Sequence, residues 1–341
     1  MVLDKKVSVG VAGLGYWGPN LVRNFGEVEN CKVVMACDLD EERLKLICNR
    51  YPFIEVTTKY DDLITAPDID AIAIATPIST HYELVRKALE RGKHVLVEKP
   101  MCASVKEAKS LIKMVQDCNK ILMVDHTFLY AASIRKIKEF ISSGDLGEIY
   151  YFDSVRINLG LFQPDVNVVW DLGPHDFSIA TYLIGEEPVS VSVLGKDVDD
   201  NKVACMAYIT LKFGSGIIAH IHVSWLSPVK VRRIIVGGSK KMIIYDDVEP
   251  TEKVKVYDTS VQFDYAKENP LQPTYRLGDI HVPRLEQEEA LWVEAAHFVD
   301  CILNGKKPLT DAESGLAVVR ILEASDTSLR QGGREVMLGS D

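Results

Sequence analysis

The sequence predicts an α/β chain of two domains. An N-terminal doubly wound parallel sheet is followed by an α+β domain on a large, open, mostly antiparallel sheet. Three observations carry this. Residues 7–13 are a near-continuous apolar run that opens into a glycine-rich turn and then into Leu21, Val22 and Phe25 at helical spacing. Short apolar runs and helical stretches then alternate as far as Thr127, the pattern of parallel strands joined by crossover helices. From residue 148 onwards β-rich segments follow one another directly, separated by turns such as Phe213-Gly214-Ser215-Gly216 and Gly237-Gly238-Ser239, which join antiparallel strands. A chain of 341 residues also suits two cores, because single cores stop growing at about 250–300 residues. The expected division is 1–125 and 126–341.

The N-terminal elements can be justified in order. Residues 7–13 form the first strand, 32–37 the second, 54–57 a short third, 71–76 a fourth, 94–98 a fifth and 121–127 a sixth. Helices are expected at 40–50, around 60–65, after a turn at Ile78-Ser79-Thr80 to a stop at Gly92, and after Ser104. The Ser104-Val105-Lys106-Glu107 sequence is a capping box, and Ala108, Leu111, Ile112 and Val115 behind it form one apolar face. Residues 128–143 read as a helix ended by Gly144. Strands follow at 148–158, 189–194, 202–213, 216–226, 231–237 and 241–246. The stretch 261–285 contains prolines and little periodicity, and reads as a long loop or arm. Helices at about 286–303 and 312–330 finish the chain.

Composition excludes several classes of function. A net charge of −10, with no basic block interleaved with aromatics, repels a phosphate backbone, so nucleic acid is not an expected partner. No apolar run approaches the roughly 20 residues that span a bilayer. Met1–Lys6 is short and charged and leads straight into a strand, without the apolar core of a signal peptide, which gives cytoplasm as the expected location. The cysteines Cys31, Cys37, Cys48, Cys102, Cys118, Cys205 and Cys301 are scattered without a CxxC pair, as befits buried thiols rather than zinc ligands. His220 and His222 share a strand face but lack a spaced third ligand, so sheet packing is the simpler reading and no metal is expected. Asp61-Asp62 and Asp199-Asp200 read as solvated charges.

The first chemical signal is Gly13-Leu14-Gly15-Tyr16-Trp17-Gly18. Gly13 permits the tight turn, Gly15 lets a pyrophosphate approach the backbone, and Gly18 lets helix and strand pack closely, with phosphate at the helix N-terminus. Asp38, 20 residues after Gly18, ends the second strand where a carboxylate would hold a ribose 2′-hydroxyl. That combination is a Rossmann fingerprint, and the acid favours NAD over NADP, with Arg43 nearby as the opposing charge. The second signal is Val95-Leu96-Val97-Glu98-Lys99-Pro100, an interior strand that delivers Lys99 to the sheet edge where α/β folds bind ligands. The third is Trp170-Asp171-Leu172-Gly173-Pro174-His175-Asp176. If the helix has begun by Asp171, Asp171 and His175 share a face and one can orient the other as a general base; as isolated residues they would be capping groups. His81 stands in the first turn of the helix that follows Thr80, with or without a chemical role.

Together, in order and spacing, these three signals resemble the glucose–fructose oxidoreductase/inositol dehydrogenase (Gfo/Idh/MocA) family along the whole chain. The resemblance implies a Rossmann domain, a second α/β domain whose open sheet mediates homodimers or homotetramers, and hydride transfer between nicotinamide and a sugar or polyol. Carried over, Lys99 hydrogen-bonds the reacting oxygen and His175 is the proton acceptor, paired with Asp171. A cis peptide is common in the family before the proline matching Pro100. The three glycines with Tyr16 and Trp17, Asp38 with Leu39, Thr76, Pro77, His81, Glu98 and Lys99 match positions that line NAD.

Within the family, Gly15–Leu21, His126-Thr127-Phe128-Leu129-Tyr130 and Val155-Arg156-Ile157-Asn158-Leu159-Gly160 resemble the nucleotide-sugar 3-dehydrogenases. Those enzymes oxidise the 3-hydroxyl of UDP-N-acetylglucosamine or its uronic acid, and an aminotransferase then makes a 3-amino sugar for lipid A or O-antigen. Arg156 and Asn158 become candidate substrate contacts, against the alternative of exposed strand residues. A catabolic dehydrogenase of free inositol or sugars and a non-catalytic dinucleotide sensor remain alternatives, the latter opposed by the intact Lys99, Asp171 and His175.

Overall fold

A computed structural model describes residues 6–160, 166–198, 203–263 and 273–339. They fall into two compact units. One takes the chain up to Tyr130 together with Glu288–Arg320, and the other takes Ala131–Gln287 and the chain from Ile321.

The first unit is built on six strands, β1 (Val7–Ala12), β2 (Cys31–Cys37), β3 (Glu55–Thr57), β4 (Ala71–Ile74), β5 (His94–Glu98) and β6 (Leu122–Asp125), all parallel and ordered β3-β2-β1-β4-β5-β6. The connections are α1 (Gly18–Glu27), α2 (Glu41–Arg50), α3 (Tyr60–Thr65), α4 (Ile78–Glu90) and α5 (Val105–Cys118), with a 3₁₀ turn at Thr127–Tyr130. Because the order reverses between β1 and β4, a ligand crevice is expected beyond their carboxyl ends. Helices begin where the sequence offers acceptors: Asp40 Oδ1 takes the Glu42 amide (2.9 Å) and Ser104 Oγ takes the Glu107 amide (3.2 Å). Ile72, Ile74, Val95 and Val97 are sealed beneath Val85, Leu89, Ala108 and Leu111, which is why these strands read as unbroken apolar runs.

In the second unit, α6 (Ala132–Ser142) and α7 (Val168–Ile184) accompany a nine-stranded sheet. Its strands are β7 (Ile149–Ile157), β8 (Pro188–Lys196), β9 (Met206–Phe213), β10 (Ile218–Ser224), β11 (Val231–Gly238), β12 (Met242–Asp246), β13 (Val254–Phe263), β14 (Pro273–His281) and β15 (Val336–Met337). The order is β14-β13-β12-β11-β7-β10-β9-β8-β15, antiparallel except where β10 lies parallel to β7. Ala207, Ile209, Leu211, Ala219, Ile221 and Val223 are the buried alternates of β9 and β10, and α7 packs on these strands. The outward alternates include His220 and His222. Both imidazoles stack on Tyr208, His222 at 4.4 Å between ring centroids, so sheet packing accounts for them.

Two expectations need correction. The chain after residue 125 does not all belong to the second unit: α8 (Ala290–Asn304) and the start of α9 (Ala312–Arg330) pack with the first. Phe298 meets Phe25 edge-on at 6.0 Å, Arg23 bridges to Glu289 at 2.6 Å, and Ala312, Leu316 and Val319 join the core under β4 and β5. An apolar helical face states that it needs a sheet but not which one. The arm expected at 261–285 contains strand β14, paired with β13. Its residues after Pro273 are all exposed, so no alternation of burial imposes a two-residue period on the sequence. Residues 264–272 of that stretch, and Asp199-Asp200, lie outside the described residues. No helix among the described residues is long and apolar enough to cross a membrane.

One charged contact of the second unit is sealed inside it. Arg156, on β7, donates from Nε to Asp176 Oδ2 (2.7 Å) and from Nη2 to Oδ1 (3.2 Å), and Ser154 Oγ adds a third bond to Oδ1 (2.7 Å). Both charged side chains are essentially buried. Asp176→Ala would leave a dry guanidinium without its carboxylate, and we expect it to lower unfolding free energy by about 3–5 kcal/mol. Urea denaturation measures this, and a loss under about 1 kcal/mol would show that Arg156 does not depend on the pair.

Candidate active site

The first unit presents its glycine turn at the switch between β1 and β4. Gly13 adopts φ of +90°, and a Cβ there would lie 2.5 Å from the Ala75 carbonyl oxygen. A Cβ at Gly18 would collide with the carbonyl of Gly13, so α1 can start this close to β1 only without a side chain. Gly15 faces open space, with the nearest atom, Arg43 Nη1, 3.9 Å from where a Cβ would sit. No side chain caps the start of α1; Pro19 has no amide hydrogen and Asn20 gives its own to the Trp17 carbonyl (2.9 Å), so an anion would meet the helix at the backbone of the glycine turn ahead of them.

Asp38 stands directly after β2 and braces this turn. Its Oδ2 accepts the Leu14 amide at 2.6 Å and its Oδ1 the Asp40 amide at 2.9 Å. Arg43 lies 3.5 Å from Asp38 and 3.4 Å from Asp40, so its positive charge is shared between two acids rather than offered to a 2′-phosphate. Tyr16, Trp17 and Leu39 expose large apolar side chains around the turn, Leu39 to 89%. An open glycine, an uncapped helix start, a carboxylate after the second strand and a bare apolar rim together fit a dinucleotide, with the acid suited to the ribose hydroxyls of NAD.

The remaining cofactor candidates divide. Thr76 follows β4 and its hydroxyl bonds that of Thr80 at 2.7 Å; Pro77 caps α4. His81 turns inward. It is 1% exposed, with Nδ1 2.9 Å from the Pro100 carbonyl and Nε2 2.8 Å from that of Thr76. Burial, helped by the charge of Lys99, holds its pKa below the ordinary imidazole value although both carbonyls favour the proton. His81 is therefore a strut between the ends of β4 and β5, and not a side chain presented to a cofactor. Glu98 is likewise buried, its Oε2 accepting the amide of Lys99 at 3.1 Å. Lys99 follows β5, and its peptide bond to Pro100 is cis.

The candidate pair Asp171 and His175 lies in the second unit. Asn167 caps α7, its Oδ1 accepting the amides of Val169 (3.0 Å) and Trp170 (3.2 Å), so the helix has begun before Asp171. Asp171 and His175 are thus one turn apart on a single face, both half-buried. The indole Nε1 of Trp225 donates to Asp171 Oδ2 at 2.8 Å. Trp225 is itself 1% exposed and packs so tightly on Gly160 that a Cβ there would lie 2.9 Å from the ring. Sequence reasoning missed this tryptophan, because nothing local to Ser224-Trp225 points to a partner 54 positions earlier. Asp176, next to His175, faces the sheet and holds Arg156, so the expectation of Arg156 as a substrate contact is corrected: its guanidinium supports the interior. Asn158 follows β7, its amide bonded to Ser224 (3.2 Å) and its side chain half-buried. Among the described residues no cluster of His, Cys, Asp and Glu is disposed to hold a metal.

Comparison with known proteins agrees with this geometry. The model described as the GFO_IDH_MocA oxidoreductase family, NAD-binding Rossmann fold, matches residues 7–126, and that of the GFO/IDH/MocA C-terminal domain matches 134–244. The chain is 25% identical to scyllo-inositol 2-dehydrogenase (NAD(+)) of Bacillus subtilis, over 97% of this chain and 96% of that protein. It is 28% identical to UDP-N-acetylglucosamine 3-dehydrogenase of Acidithiobacillus ferrooxidans, over 66% of this chain and 69% of that one. A solved oxidoreductase from Agrobacterium radiobacter, in complex with NAD+, L-tartaric acid and magnesium, superposes with a TM-score of 0.82 at 20% identity, covering 98% of this chain and 99% of the other. The chain belongs to the GFO/IDH/MocA oxidoreductase family, and its first unit carries that family's NAD-binding Rossmann domain.

Proposed function

We propose that this protein is an NAD-dependent dehydrogenase that oxidises the C3 hydroxyl of a nucleotide sugar, UDP-N-acetylglucosamine or its uronic acid, to the 3-keto sugar. The observation that carries dehydrogenation is the Asp171–His175 pair on one face of α7, with Asp171 held by Trp225, in a chain that binds NAD. The nucleotide-sugar substrate is supported by the relative from Acidithiobacillus ferrooxidans and by the segments 126–130 and 155–160. The scyllo-inositol dehydrogenase relative, matched over nearly its whole length, favours a second reading in which the substrate is a free polyol.

Bound NAD supplies the hydride acceptor. The chain's own groups then have to deal with one proton and one developing negative charge. In this reading neutral His175 takes the hydroxyl proton, and Asp171 stabilises the imidazolium that results. The Lys99 ammonium donates to the reacting oxygen as it becomes an alkoxide. Gly13, Gly15, Gly18, Tyr16, Trp17, Asp38, Leu39, Thr76 and Pro77 hold the dinucleotide, and Asn158 contacts the sugar. Removal of the ketone by an aminotransferase pulls an otherwise uphill oxidation forward, and exposed Leu194, Tyr208 and Ile218 on the open sheet support assembly of a homo-oligomer.

His175→Ala and Lys99→Ala are each expected to lower kcat by about a hundredfold or more while leaving NAD affinity in place. Initial rates and an NAD titration measure the two effects, and unchanged turnover removes the residue concerned from the mechanism. Substrate is decided by NADH formation with UDP-sugars against free glucose and myo-inositol, with and without 2-oxoglutarate and an aminotransferase. Signal confined to UDP-N-acetylglucosamine or its uronic acid is expected. Signal with the free polyols instead establishes the second reading, and silence throughout with retained NAD binding rejects both.

A further inference from the structure

The carboxyl ends of β5 and β6 hold a group that this chemistry does not use. Glu98 and Asp125 are register partners on these neighbouring strands, so their side chains leave the sheet on one face. Glu294, on α8, is fully buried and, like Glu98, near enough to Asp125 for their charges to act on each other. Three carboxyl groups, from three elements of the first unit, therefore share one dry site.

The hydrogens available do not suit three carboxylates. Glu98 Oε2 accepts the Lys99 amide, and Thr127 gives its one hydroxyl hydrogen to Asp125 Oδ1. Asp125 Oδ2 and both oxygens of Glu294 then meet no other N–H or O–H among the described residues. Two carboxyl groups in contact make a hydrogen bond only if one of them is protonated. Burial first, and the neighbouring Asp125 second, push both glutamates well above the usual carboxylate range; the charge and amide of Lys99 at Glu98, and the nearby Thr127 hydroxyl at Glu294, only partly oppose this.

The other titratable groups around the site do not change that count. His126 is 1% exposed with both ring nitrogens unbonded, and burial together with Lys99 drops its pKa to about 3, so it is neutral. Burial and Lys99 also lower the pKa of His81, whose two ring nitrogens are turned away to the carbonyls of Pro100 and Thr76. Tyr130 bonds Thr310 Oγ1 at 3.3 Å and is held above its ordinary range by burial and by Glu294. Among these residues Lys99 is the cation.

We infer that Glu98, Asp125 and Glu294 form a positioning triad for Lys99, in which two carboxylic acids donate to one carboxylate and Glu98 anchors the lysine backbone. The triad then carries one negative charge against the one positive charge of Lys99. This rests on the reading of Lys99 as the group that meets the alkoxide, and it adds the residues that set where that group stands and what charge it sees.

The test uses the full-length protein with Glu294→Gln, Glu294→Leu, Asp125→Asn and Lys99→Arg. Glutamine can still donate to Asp125 and leucine cannot. Two measurements need no substrate. An acid with a raised folded pKa binds more protons folded than unfolded, so its contribution to stability falls as pH rises from its unfolded value, about 4.3, towards the folded one. Melting curves from about pH 5 to about pH 9 should therefore decline less steeply in Glu294→Gln than in the parent; parallel curves overturn the protonated triad. The side-chain NMR signal of Lys99, assigned by its loss in Lys99→Arg, should move in Asp125→Asn and stay in place in Glu294→Gln; a signal indifferent to Asp125→Asn overturns the link to the lysine. With an accepted substrate, Glu294→Gln should hold kcat within about threefold while Glu294→Leu and Asp125→Asn lose about tenfold or more at unchanged NAD affinity. Equal losses in the glutamine and leucine variants overturn proton donation by Glu294. If no substrate is turned over, the dehydrogenase reading fails, and the melting and NMR results still decide the triad.

Discussion

A parallel strand covered on both faces has no place for a charge until it ends, and most of the first unit follows from that constraint. Val95, Leu96 and Val97 are each at most 1% exposed, and β1 and β4 are buried along their whole length. Polar chemistry is therefore pushed to the carboxyl ends, where Gly13, Asp38, Thr76, Lys99 and Asp125 all follow or finish their strands within two residues. The order β3-β2-β1-β4-β5-β6 then decides which of these ends are neighbours. Glu98 and Asp125 meet because β5 and β6 are adjacent and in register, and they are 27 positions apart in sequence.

In the second unit helical phase separates two acids that look alike in the sequence. Asp171 and His175 share a face of α7, whereas Asp176 sits one residue, or about 100°, further round and faces β7. The result is one acid available to orient an imidazole and one neutralised by Arg156 inside the core. Trp225 supplies the stiffness that a lone aspartate lacks, since its indole is packed on Gly160 and its N–H is directed at Asp171.

What could be read from the sequence was what depends on neighbours along the chain. The glycine turn, the acid after β2, the capping of α5 and the phase of Asp171 and His175 are local patterns with local causes, and the structure has them where the spacing put them. The misjudged features depend on partners far away in sequence. Arg156 reads as a substrate contact or an exposed strand residue because a strand arginine carries no mark of the aspartate it meets, and His81 reads as lining the cofactor or as idle because both of its partners are backbone carbonyls. The placement of α8 and Glu294 with the first sheet is fixed by Phe25 and Arg23, more than 260 positions earlier. Strand β14 lacked a pattern because its exposure is nearly uniform.

That uniform exposure makes β14 the free margin of a nine-stranded sheet, where unsatisfied amides would accept a strand from another molecule. The strand is poorly suited to such growth. Pro273 opens it without an amide hydrogen, Arg276 is tied back to Asp258 and to the carbonyl of Lys240, and the register with β13 slips between Tyr257 and Thr259. Gly278 sits against Asp258 where any side chain would collide. A bulged and proline-headed border gives an incoming strand no straight template along its edge, while Tyr275, Leu277 and Ile280 leave apolar side chains bare on its faces, so contact with another molecule is steered from backbone pairing to side-chain packing.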